Sequence, residues 1–165
     1  MSTLPLMKLL MEFLNLTSSL KGKYRNKYTD LIKLKNRTTA NTNIFYFNGV
    51  LLACKEDSPP YAMDPVTLDT IGLWDFDGQL PSLTFTAHPK VDPVTKEMIC
   101  FGYEAKGDGT PDICYYTIAP NGIFEETVWL VSPVVAMIHD FAVTENWVSL
   151  NPSRWLSINY YIGQR

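Results

Sequence analysis

The sequence predicts an all-β protein that forms part of a propeller: about two to three blades of antiparallel meander, preceded by a short N-terminal helix. Three observations carry this. Aromatic residues make up 13% of the chain, with nine Tyr and eight Phe, and flat or β-branched side chains pack well on a pleated surface. From Thr39 onward, short apolar runs alternate with turn signals and no helical pattern returns. The two histidines, His88 and His139, stand 51 residues apart, near the span of about 40 to 50 residues that one four-stranded blade occupies. Successive blades would then present one imidazole each from the same radial position, because inner strands run along a common channel.

The elements follow in chain order. Leu4 to Leu16, LPLMKLLMEFLNL, is apolar around most of a helical circumference, with Thr3 placed to cap it. Lys8 and Glu12 interrupt it well short of the roughly 20 apolar residues a membrane span needs. Charges inside the apolar stretch and the lack of a clear small-residue cleavage site also disfavour a signal peptide. Residues 1–20 are therefore read as a core-docking or interfacial helix, 21–150 as propeller blades and 151–165 as a divergent tail. Between Thr39 and Leu150 about ten strands are expected. IFYFNGVLLAC pairs two of them through Asn48-Gly49, and ICYYTIAPNGIFEETVWLV does so through Asn121-Gly122; Asn-Gly accepts the positive φ angles of a type I′ turn at little cost. Asp64-Pro65-Val66-Thr67 recurs as Asp92-Pro93-Val94-Thr95, each a turn between short strands. Lys106 to Asp112, KGDGTPD, reads as a loop between hairpins.

Composition narrows the class of function. A chain of 165 residues, 46% of them apolar, suits one domain with a core. Its net charge of −3 is unevenly spread: seven cations crowd between Lys21 and Arg37, whereas from Thr38 onward six cations face 15 acids. The acidic body argues against nucleic acid as the main partner. The basic stretch is read as a solvated run, with contact to an anionic membrane surface as the lesser alternative. Cys54, Cys100 and Cys114 are odd in number and lack metal-knuckle spacing, which points to a reducing, cytoplasmic setting and to buried filler thiols. No nucleotide-binding glycine motif is present. Trp74, Trp129 and Trp147 lie on strand-like segments and are expected in the core.

That leaves the histidines as the candidate chemistry. Neutral imidazole is a good ligand for iron, copper, nickel or zinc, and a histidine site without thiolates leaves the borderline metals open. Asp140 is a poor co-ligand of His139, since neighbours on a strand project to opposite faces. From spacing alone, the plainer reading of each histidine as a hydrogen-bonded core or surface residue stays open.

TAHPKVDPVTKEMICFGY and MIHDFAVTENWV, with ANTN at Ala40 to Asn43 and PYAMDPVTLDT at Pro60 to Thr70, resemble the carotenoid cleavage oxygenases, in that family's order and over Gly22 to Val148. The resemblance implies a seven-bladed propeller in which four histidines hold Fe(II) on the axis and dioxygen splits an olefin into two carbonyls. It makes His88 and His139 the first and second iron ligands, with the others farther along in full-length relatives. It also makes Glu56 the carboxylate that orients a ligand imidazole, that of His139; an exposed glutamate at a hairpin end is the alternative.

Lys55 and Tyr24 match the lysine and tyrosine with which the stilbene-cleaving branch, the lignostilbene and resveratrol dioxygenases, binds the substrate's 4-hydroxyl. An ammonium beside a phenol favours the phenolate, and a tyrosine hydroxyl can add a hydrogen bond. A surface lysine and a core tyrosine are the alternatives. The expected substrates are thus an aromatic olefin and dioxygen. This chain has only two histidines, so the resemblance implies a truncated member unable by itself to complete the iron site. Two other functions are kept in view: cleavage of apocarotenoids, and a non-catalytic β-repeat piece that self-associates through open sheet edges.

Overall fold

The computed structural model describes residues 38–153 and 156–161, so the expected helix over 1–20, the basic stretch and Tyr24 lie outside the described residues. The described part is built of strands in three antiparallel sheets. The first carries β1 (Asn43–Phe47), β2 (Val50–Cys54), β3 (Tyr61–Met63) and β4 (Thr70–Leu73) in the order β1-β2-β3-β4. The second carries β5 (Lys90–Val91), β6 (Met98–Tyr103), β7 (Asp112–Ile118) and β8 (Phe124–Val131), again in chain order. In the third, β9 (Phe141–Val143), β10 (Trp147–Ser153) and β11 (Leu156–Tyr161) form a three-stranded meander. Each strand pairs with its chain neighbour, which is the wiring of propeller blades. β11 carries the last sheet into the stretch read as a tail, with Val148 opposite Tyr160.

The second sheet explains why its strands read as unbroken apolar runs. Met98 and Cys100 of β6, with Cys114, Tyr116 and Ile118 of β7, pack against Phe47, Leu52, Cys54 and Ala62 of the first sheet. Their neighbours Ile99, Phe101, Ile113 and Tyr115 point the other way, onto Ile138, Phe141, Val148 and Leu150 around the third sheet. Alternate residues feed opposite faces, so a sheet buried on both sides needs apolar residues at every position. β8, at the edge, alternates half-buried and exposed positions along FEETVWLV. The three thiols are free and buried, as expected. Two of the tryptophans are not: Trp129 is 42% and Trp147 49% exposed. Trp129 occupies an outward position of β8 beneath the Lys106 ammonium, 4.9 Å from its ring centroid, and of these three Trp74 is the one that packs on the core.

The turns show which local signals were sufficient. Asn48 and Gly49 have φ of 44° and 86°, the two positive values of a type I′ turn. The second Asn-Gly departs from that form. Among the residues of this turn only Gly122 is at positive φ, the Gly122 N–H donates to Ala119 O, and the Ala119 N–H donates to Ile123 O. A two-residue hairpin loop at Asn121-Gly122 would close on a Pro120–Ile123 pair that exchanges both N–H···O bonds, and Pro120 has no N–H, so the closing pair shifts back one residue and a bulge follows. The Asp-Pro-Val-Thr turns are alike: Asp64 Oδ1 accepts from the N–H groups of Val66 and Thr67, and Asp92 Oδ1 from those of Val94 and Thr95. One joins the third and fourth strands of its sheet and the other the first and second, so the motif repeats a turn and not a blade.

Candidate metal centre

Both histidines lie in loops that lead into a new sheet, not in inner strands as expected. His88 stands two residues before β5 and His139 two residues before β9, so they hold equivalent places in successive blades. At the matching place before β1 is Asn41, whose Oδ1 accepts a hydrogen bond from Thr39 Oγ1.

The segment carrying His88 runs from Ser82 to Ala87 and is buried along most of its length. It crosses the end of β6, with the Leu83 N–H donating to Ala105 O and Thr84 Oγ1 donating to Tyr103 O. Close passage is possible because residue 102 is glycine: a Cβ there would stand 2.4 Å from Ser82 Oγ and 2.6 Å from Thr84 O. At the end of the segment the Asn43 side chain donates to Ala87 O, and the His88 N–H donates to Thr86 Oγ1. His139 is braced from the first sheet, its Nδ1–H donating to Glu56 Oε1 in the loop after β2. Glu56 is 3% exposed, which removes the alternative of an exposed hairpin-end glutamate.

These braces bring the imidazoles together. Their Nε2 atoms are 3.2 Å apart, with ring planes at 79°, although 51 residues separate them in the chain. Two nitrogens bound at right angles to one ion by bonds of about 2.1 Å stand about 3 Å apart, so the pair fits two adjacent coordination positions. With Nδ1–H given to Glu56, His139 keeps its Nε2 lone pair for a ligand. Among the described residues, no group of three or more His, Cys, Asp or Glu side chains is arranged to hold a metal. The donor set is therefore two imidazoles and one orienting carboxylate.

Lys55, directly before Glu56, is largely buried and pairs with Asp57 Oδ2 at 3.1 Å, while Asp57 Oδ1 accepts from Thr38 Oγ1. An ammonium has three donors, so this pairing leaves capacity for a phenol while offsetting part of the charge. Tyr103, which the sequence reading did not single out, lies beside this loop. Burial, followed by the carboxylates of Glu56, Glu104 and Asp57, pushes its phenol up to about 12. It sits at the end of an apolar strand, where its sequence context differs little from that of a core tyrosine.

Meander sheets in chain order, whose leading loops turn two imidazoles onto one point with a buried carboxylate behind one of them, define part of a propeller. Residues 8–154 match the profile of the retinal pigment epithelial membrane protein family, the carotenoid oxygenases, and the chain belongs to that family. It is 73% identical over 130 residues to resveratrol cleavage oxygenase 1 of Aspergillus fumigatus, covering 79% of this chain and 26% of the relative. It is 76% identical over 130 residues to carotenoid cleavage oxygenase 1 of Neurospora crassa, covering 79% of this chain and 25% of the relative. Lignostilbene dioxygenase of Pseudomonas brassicacearum superposes with a TM-score of 0.72 at 52% identity, covering 86% of this chain and 30% of that one. The chain thus spans about a quarter of the length of these curated relatives.

Proposed function

We propose that this chain contributes two of the imidazole ligands, His88 and His139, and the orienting carboxylate, Glu56, of a non-haem Fe(II) oxygenase that cleaves the central double bond of 4-hydroxystilbenes. The observation that carries this reading is the 3.2 Å approach of two Nε2 atoms from equivalent loops, with the far nitrogen of His139 held by a buried carboxylate. A carboxylate in that position fixes the tautomer and raises ligand basicity. Iron bound there would supply the redox chemistry of dioxygen that side chains alone lack. The overall change is balanced: the carbon–carbon double bond breaks and each carbon takes one oxygen atom of O2, giving two aromatic aldehydes.

The protein's own part is binding and orientation. Lys55, with Tyr24, holds the substrate's 4-hydroxyl, and the ammonium favours the phenolate by Coulomb attraction. Negative charge delocalised from the phenolate enriches the central double bond, the bond to be oxidised. A carotenoid substrate, being a hydrocarbon at the reacting region, gains nothing from that lysine. Similarity to carotenoid cleavage oxygenase 1 of Neurospora crassa keeps cleavage of carotenoid-type substrates, apocarotenoids among them, as a second reading. The cytoplasm is the proposed setting; among the described residues no helix is long and apolar enough to cross a membrane.

The test uses resveratrol and an anaerobically iron-loaded sample. Two imidazoles give too few ligands for a four-histidine site, so the 165-residue chain alone should yield no aldehyde. Added full-length relative should not change its two-ligand character, whereas a complementing polypeptide with the remaining histidines should raise iron affinity. In such an assembly Lys55→Met should severely reduce stilbene cleavage; unchanged stilbene cleavage would reject the phenol-binding role. Robust aldehyde formation by the 165 residues alone would reject the incomplete-site reading.

A further inference from the structure

We infer that Lys90 and Asp140 form a clamp between successive blades that sets the separation of the two candidate ligand imidazoles, a positioning role that rests on the metal-site reading above. Lys90 is the first residue of β5, two after His88, and Asp140 directly follows His139. Lys90 Nζ donates to Asp140 Oδ1 at 2.7 Å. The same oxygen accepts the Phe141 N–H at 2.8 Å, which ties the carboxylate to the start of β9. Lys90 Nζ also lies 5.4 Å from the centroid of the Phe141 ring, and that ring meets Phe101 of β6 edge-on, with centroids 4.9 Å apart. Since β6 is hydrogen-bonded to β5, the contacts close a circuit around the two loops that hold the histidines.

The pair's exposure indicates what it is for. Its side chains are 36% and 50% exposed, and an ion pair so open to water adds little to stability because solvent screens it and ordering two side chains costs entropy. Its geometric effect is larger. Glu56 orients the His139 ring from the first sheet, but the distance to His88 depends on how the second and third sheets meet, and the clamp joins them within two residues of each ligand.

The decisive variant is Lys90→Met, because two explanations of its effect have opposite signs. Removing a nearby positive charge should tighten cation binding through Coulomb interaction, whereas loosening the clamp should weaken it. The full chain titrated calorimetrically with cobalt(II) should lose about tenfold in affinity, the low end of what partners behind a ligand imidazole contribute. The charge-swapped Lys90→Asp, Asp140→Lys protein should recover affinity over the single variant. In metal-free protein, the nuclear Overhauser contact between the two imidazole rings should be present and should disappear in Lys90→Met. Unchanged or tighter cobalt binding, or a retained ring contact, overturns the clamp. Cobalt binding that survives His139→Ala instead rejects the metal-site reading, and the ring contact then decides on the clamp by itself.

Discussion

Gly102→Ala is the sharpest probe of how packing sets the candidate site. A methyl group at residue 102 would meet Ser82 Oγ at 2.4 Å and both Thr84 O and Thr84 Oγ1 at 2.6 Å, where ordinary contact begins at 3.4 Å. The crossing segment would have to withdraw by about 0.8 to 1 Å, and it is not a free end. Ser82 and Thr84 are buried, Thr84 Oγ1 donates to Tyr103 O, and the Thr84 N–H donates to Ser82 Oγ. Overpacking of this kind costs about 1–3 kcal/mol and one lost hydrogen bond about 1 kcal/mol, together about 2–4 kcal/mol. For a chain of this size each kcal/mol lowers Tm by about 2–4 °C. Urea unfolding followed by tryptophan fluorescence should therefore show a lower midpoint, with a Tm loss of about 4–16 °C. Adding Ser82→Ala should recover only part of it, since the Thr84 carbonyl remains. Because the same segment ends in His88, cobalt affinity should fall too. A loss below about 0.5 kcal/mol, the ordinary range for a harmless surface change, would refute the close-crossing argument.

Three further outcomes are expected. Glu56→Gln should weaken cobalt binding by about 10- to 100-fold with little change in far-UV circular dichroism; equal affinity in calorimetry would remove the carboxylate from the site. Burial, reinforced by Glu56, pushes the Cys54 thiol from its ordinary 9.0 to about 12, and burial pushes Cys114 to about 12 against the pull of Lys106. Between those values the unfolded thiols have lost their protons and the folded ones have not, so the unfolded state binds fewer protons and stability falls as pH rises. Unfolding midpoints measured from pH 8 to 12 should decline above about 9, and a flat profile would contradict the burial of these thiols. Gly49→Ala places a side chain at φ 86° and should cost about 1 kcal/mol in urea unfolding, while a neutral result would argue against the type I′ turn.

What the sequence by itself determined was largely local. Asn48-Gly49 and the two Asp-Pro-Val-Thr stretches carry their turn geometry within four residues, and the apolar runs of β6 and β7 announce strands buried on both faces. The wiring of meander sheets followed from the same signals, since chain neighbours pair when their connections are short. Pro120 was also legible, but its effect needed the strand register to be known: it denies an N–H to one closing pair and so moves the turn by a residue.

What only the tertiary structure decided was where distant segments meet. The 51-residue spacing of His88 and His139 suggested equivalent positions, but a spacing carries no direction, and the rings are brought together by loops braced on Gly102, Thr86 and Glu56. The exposure of Trp129 and Trp147 was hidden because an aromatic residue on a strand looks alike whether it faces inward or outward. Tyr103 escaped notice because its proximity to Glu56 and Asp57 exists only once the first two sheets have stacked. Local geometry is fixed by a residue and its neighbours, whereas a site is fixed by packing between sheets, and that depends on side chains far apart in the chain.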